Sequence, residues 1–116
     1  MSDNCHAKVN VLTVIYQGDQ YYLPIKLVGK KGNIITPENI DGLMIKIGNI
    51  TKQISDGGLE FSGENWLFPL KQEETLAWIG NIKCQAKYKQ GNIVHTSPEY
   101  YIRVDPSGIK ELFDIQ

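Results

Sequence analysis

Cys5, His6, Cys84 and His95 are the residues able to do thiol or imidazole chemistry. A zinc site needs four converging ligands, usually set out in short-spaced pairs such as C-x-x-C. No such pair is present, and adjacent Cys5-His6 reads as a terminal segment or an oligomer contact. A cysteine nucleophile needs a base within hydrogen-bond reach. His95 follows Cys84 by about 11 residues, on what reads as the neighbouring strand. The alternation around Cys84, however, points its thiol into the core, where a thiolate is costly. Glu73 and Glu74 are sequence neighbours, so they point apart, whereas general acid-base work needs two groups converging on one bond. They read as part of a solvated turn. Asp19, after Gly18, reads as a turn residue bonding its own backbone. Gly29-Lys30-Lys31-Gly32 has neither P-loop nor dinucleotide spacing and reads as a hairpin turn. No catalytic, metal-binding or cofactor-binding residue is assigned, and the expectation is a protein that is not an enzyme and takes no cofactor.

Lys83, Lys87 and Lys89 share one strand face with Gln85, a pattern that could follow a nucleic-acid backbone if aromatics stacked beside it. Twelve basic against 13 acidic residues give a net charge of −1, and Arg103 is the sole arginine. Nucleic-acid binders usually carry a basic excess. The face therefore reads as a solvated sheet surface, and no nucleic-acid partner is expected.

The elements that must position these residues are strands. Fifteen isoleucines, six valines and five threonines stand against three alanines. β-branched side chains are stiff in a helix and pack well on a pleated surface. A chain of 116 residues buries roughly two-thirds of its unfolded surface, enough for one core without staples. Val9 to Tyr16, apolar on both faces, reads as a central buried strand. Tyr21 to Val28 returns after the turn at Gln17-Gly18-Asp19-Gln20, and Pro24 within it suits an edge or a bulge. Leu43 to Ile47, a piece around Lys52-Gln53-Ile54, Leu59 to Phe61, Trp66 to Leu70, Ile82 to Tyr88, Ile93 to Thr96 and Tyr100 to Val104 follow. Asp56-Gly57-Gly58 reads as a hairpin turn. Thr36-Pro37-Glu38-Asn39 and Lys71 to Thr75 read as single helical turns.

This spacing predicts an all-β fold, an antiparallel β-sandwich or small barrel of about seven to nine short strands with one or two helical turns. The organisation expected is a flexible segment over residues 1–8, the sandwich over 9–105, and a tail over 106–116 that forms a short helix. The start is polar and lacks a leader pattern, and no apolar run reaches the roughly 18 residues of a membrane span. Synthesis in the cytoplasm, no membrane partner and two free thiols are expected.

Most aromatics are needed for the core. Tyr22, Trp78 and Tyr101 fall on the outward phase and read as a contact surface. Ile109, Leu112 and Phe113 are spaced for a small apolar stripe that must dock somewhere, on the chain's own sandwich or on another copy.

The stretch from Tyr16-Gln17-Gly18-Asp19-Gln20 to Tyr21-Tyr22-Leu23-Pro24-Ile25 resembles the opening of immunoglobulin-like domains in small phage and prophage proteins. The run Trp66-Leu67-Phe68-Pro69-Leu70-Lys71-Gln72-Glu73-Glu74-Thr75, and Gly80 to Arg103 with its ending Tyr101-Ile102-Arg103-Val104, are similar to the amino-terminal domains of upper baseplate proteins from phages of Gram-positive bacteria. The resemblance covers residues 10 to 113, and Cys5-His6 lies outside it. It implies an immunoglobulin-like sandwich and a virion structural protein that contacts other virion proteins in a tail or baseplate, as a homo-oligomer or with different chains. It carries over no catalytic residue. The alternative is a carbohydrate-binding module of a tail or cell-surface assembly, which calls for an exposed row of Trp or Tyr along one sheet.

Overall fold

Five strands carry one apolar face each, and those faces decide the architecture. Leu23, Ile25 and Leu27 are buried in β3 (Tyr21–Val28), as are Leu43, Ile45 and Ile47 in β4 (Gly42–Ile47). Trp66, Phe68 and Leu70 do the same in β7 (Asn65–Leu70), Cys84, Ala86 and Tyr88 in β8 (Gly80–Gln90), and Ile102 and Val104 in β10 (Tyr100–Asp105). A strand with period-two apolarity must lay that face on another layer. In the computed structural model, which describes residues 6–9, 14–29 and 32–114, two sheets do this.

The four-stranded sheet runs β1 (His6–Val9), β3, β7, β6 (Glu60–Ser62). The six-stranded sheet runs β2 (Ile15–Tyr16), β10, β8, β4, β5 (Ile50–Gln53), with β9 (Ile93–Thr96) also on β8. Among the described residues every strand pairing is antiparallel except β2 with β10. This is an all-β immunoglobulin-like sandwich. Trp66 anchors its core: the indole is 1% exposed and Nε1 donates to the Ile35 carbonyl at 2.9 Å. Two short helical turns are present, a 3-10 turn at Pro37–Asn39 and α1 at Gln72–Leu76.

The strand count among the described residues is ten, not seven to nine, because one expected strand, Val9 to Tyr16, is divided, while Ile93 to Thr96 and Tyr100 to Val104 are separate as expected. β9 and β10 lie on the same partner with a one-residue slip: Lys87 faces Thr96, but Cys84 faces Tyr100. The extra residue makes a bulge. It falls at Ser97-Pro98-Glu99, where Pro98 has no N–H to give. Ser97 keeps the ladder satisfied. Its N–H donates to the Ala86 carbonyl at 2.9 Å, and its Oγ accepts from Ala86 N–H at 3.0 Å.

The strand expected over Val9 to Tyr16 is divided between the sheets. β1 joins one sheet and β2 the edge of the other, with residues 10–13 outside the described residues. An apolar run fits a change of sheet as well as a central strand, because both bury alternate residues. The expected hairpin at Asp56-Gly57-Gly58 instead carries the chain from β5 to β6, which belong to different sheets. Pro24 lies on an interior strand, opposite Leu67 and past the last described pairing of β1, Val9 with Ile25. Pro69 is placed alike, beyond the end of β6.

The tail differs from the helix expected. Residues 106–114 contain none. Three apolar residues cannot hold a turn by themselves. Other bonds capture the backbone first: Ile109 N–H donates to Ser107 Oγ at 3.0 Å, and Phe113 is held from α1. The described residues contain no helix long and apolar enough to cross a membrane.

Candidate interaction surfaces

One end of the sandwich gathers the β2–β3 turn, α1 and the tail. Gly18 turns the chain with φ +90°, a conformation glycine adopts without strain. Asp19 braces that turn locally, its Oδ2 accepting from Tyr16 N–H at 2.9 Å. Thr75, fully buried, then joins turn to helix. Its hydroxyl donates to the Asp19 carbonyl at 2.8 Å and accepts from Gly18 N–H at 3.0 Å. Gln17 Nε2 donates to the carbonyls of Leu76 and Trp78 at 3.1 and 2.9 Å.

Gln72, 5% exposed, completes the end. Its N–H donates to Gln20 Oε1 at 3.2 Å. Its side-chain amide takes Phe113 by the backbone: Oε1 accepts from Phe113 N–H at 3.0 Å, and Nε2 donates to the Phe113 carbonyl. Lys110 Nζ adds a bond to Gln17 Oε1 at 2.6 Å. The tail is therefore fastened by polar atoms while its apolar side chains face water. Ile109 is 71% exposed, Leu112 40% and Phe113 83%. Tyr21 and Tyr22 begin β3 at the same end of the sandwich, and with Pro69 and Lys71 border a depression of about 300 Å³. Burial first, and the Asp19 carboxylate second, push the Tyr21 phenol above its ordinary value.

The outer face of the six-stranded sheet is a second surface. Register places Met44 beside Lys87, Lys46 beside Gln85, and Lys83 beside Tyr101. Two open depressions lie here, of about 390 and about 180 Å³, with Lys46 and Gln85 lining both. Lys83 pairs with Glu99 at 3.4 Å and Arg103 Nε with Asp105 at 2.7 Å.

The residues expected at a contact surface are not all brought together. Tyr22 and Tyr101 are exposed, but on opposite sheets. Trp78 is a correction: it is 5% exposed and belongs to the core. Its strand phase does not apply, because it sits in the link after α1, with its ring against Gly48. Glu74 also departs from a solvated turn, pairing with Lys52 at 3.3 Å, while the same ammonium donates to the Pro69 carbonyl and lies over the Phe68 ring. The sequence reading missed Gln17, Gln72 and Thr75, whose partners lie more than 40 residues away and leave no local pattern.

Cys84 is a free, fully buried thiol, which burial pushes up to about 12. His95 lies opposite Tyr88, its ring 5.0 Å from the phenol ring. That is about 13 Å along the strand from Cys84, so the two are not brought together. Cys5 lies outside the described residues. Among the described residues, no three His, Cys, Asp or Glu side chains are grouped to hold a metal ion.

No family model matches the chain, and no curated protein matches it. Among solved structures it is similar to the X-ray structure of the endo-beta-1,4-mannanase from Thermotoga petrophila, with a TM-score of 0.54 and 9% sequence identity. The match covers 90% of this chain and 20% of that one. The chain thus spans about a fifth of the enzyme's length, and the likeness is one of fold.

Proposed function

We propose that this chain is a phage or prophage virion structural protein, a contact domain that joins other virion proteins in a tail or baseplate through the end of the sandwich that carries the tail. One observation carries the contact reading. Gln72 fixes the Phe113 backbone, yet Ile109, Leu112 and Phe113 remain in water. Exposed apolar groups gathered on a held segment are costly to hydrate and mark a surface that a partner covers. The virion assignment draws on the sequence resemblance over residues 10 to 113. Particles purified on a density gradient from an induced culture test it by mass spectrometry. The chain is expected in the particle band at a stoichiometric level. Abundance in the lysate with none in the particles overturns the virion reading.

A carbohydrate-binding module is the second reading, favoured by Tyr21 and Tyr22 beside Pro69 at the depression of about 300 Å³. Against it, both tryptophans are buried, and the exposed tyrosines are divided between the two sheets. Affinity electrophoresis through gels containing mannan, cellulose derivatives or peptidoglycan fragments separates the two. Retardation abolished by Tyr22→Ala supports sugar binding; unchanged migration in all three gels removes it.

A further inference from the structure

We infer that copies of this chain bind one another head to tail, the tail-bearing end of one sandwich against the outer face of the six-stranded sheet of the next. This deepens the contact reading above, rests on it, and names the occupant as a second copy. The first argument is the placement of apolar surface. Tyr16, Tyr21, Tyr22, Ile109, Leu112 and Phe113 are all exposed at the tail-bearing end.

Charge selects what covers them. The chain's net charge is only −1, but it is unevenly spread. The outer sheet face carries Lys46, Lys83, Lys87, Lys89 and Arg103 against Glu99 and Asp105. The tail-bearing end carries Asp19, Glu73, Glu111 and Asp114 against Lys71 and Lys110. End on end and face on face set like charges together; end on face sets opposite charges together. A contact between two different surfaces is heterologous, and it runs on into a ring or a filament.

The face also has room for anchors. Of its two depressions, the one of about 390 Å³ is bounded by Lys46, Lys83 and Glu99 and the one of about 180 Å³ by Met44, Lys46 and Lys87, and the lysine alkyl stems are apolar. Phe113 and Leu112 suit such hollows as central anchors, while Glu111 and Asp114 meet the lysine heads at the rim.

Sedimentation velocity and light scattering of the full chain over a concentration series test this. Wild type should form species heavier than the 13.1 kDa monomer, and salt should dissociate them. Leu112→Ala with Phe113→Ala disables the end; Lys46→Glu with Lys87→Glu disables the face. Each double variant, shown folded by circular dichroism, should be monomeric alone. Mixed in equal amounts they should give a heterodimer and nothing larger, because one intact end and one intact face remain. A mixture that stays monomeric, or a double variant that still assembles, overturns the head-to-tail geometry. Wild type that stays monomeric at its solubility limit overturns self-contact, and it does so whether or not the chain is found in particles.

Discussion

Gln72 grips Phe113 across 41 residues of sequence, its side-chain amide accepting from the Phe113 N–H at 3.0 Å and donating to the Phe113 carbonyl. The pair converts the tail from a loose end into a held segment. Because the grip is on the backbone, the Phe113 ring is left 83% exposed.

Gln72→Ala should release the tail without unfolding the sandwich. Each neutral hydrogen bond contributes about 0.5–1.5 kcal/mol net, so global stability should fall by no more than about 1–3 kcal/mol. Hydrogen exchange is the sharper readout. The Phe113 amide should lose its protection, and chymotrypsin should cut at Leu112 and Phe113 faster than in wild type. Unchanged exchange at Phe113 would show that something else holds the tail.

Thr75→Val should cost more than its size change suggests. Valine is close in shape, but it leaves the Gly18 N–H and the Asp19 carbonyl without the buried hydroxyl that now serves both. An unmet buried polar group costs about 1–3 kcal/mol. Thr75→Ser keeps the hydroxyl and should recover most of that loss. Denaturant midpoints with unchanged m-values check the pair.

These two positions also show where sequence reading stops. The alternation in β8 announces itself, since Ile82, Cys84, Ala86 and Tyr88 recur at period two, and Cys84 is indeed buried. The outward placing of Tyr22 and Tyr101 follows from the same logic. Trp78 fails it because phase has no meaning in a link between a helix and a strand. The change of sheet between β1 and β2 fails it because alternation reports burial and not which sheet provides it. The tail's apolar spacing fits a helix, but a side chain 41 residues upstream decides its path.

Cys84 predicts a dependence on alkaline pH. Burial pushes its thiol up to about 12, from 9.0 in the ordinary state. Between those values the native chain keeps a proton that the unfolded chain releases. Its contribution to stability is therefore fully present below about pH 9 and is lost as pH rises towards 12, at up to about 1.4 kcal/mol per pH unit. Cys84→Ala removes this component, so the difference between wild type and variant should shrink over that window. Reaction of Cys84 with a thiol reagent near neutral pH should be slow until the protein is unfolded.

Gly48→Ala should be the most damaging small change in the six-stranded sheet. Gly48 opens the two-residue turn between β4 and β5 at φ +62°, a conformation that costs a side-chain-bearing residue about 1–2 kcal/mol. A Cβ there would stand 2.9 Å from Trp78 Nε1 and 3.2 Å from Ile82 Cγ2. The turn cannot retreat freely, because the Gly48 N–H donates to the Lys83 carbonyl at 2.9 Å. Nor can the indole, since Trp78 is 5% exposed and packed in the core. The expected loss is about 2–4 kcal/mol, at the upper end of what single changes usually cost. Tryptophan fluorescence gives the local check. Trp66 lies on β7, in the other sheet, so a shift in emission that comes from Trp78 should vanish when Trp78→Phe is added. An alanine variant as stable as wild type would mean that the indole moves aside without cost, and that Trp78 is not wedged against this turn.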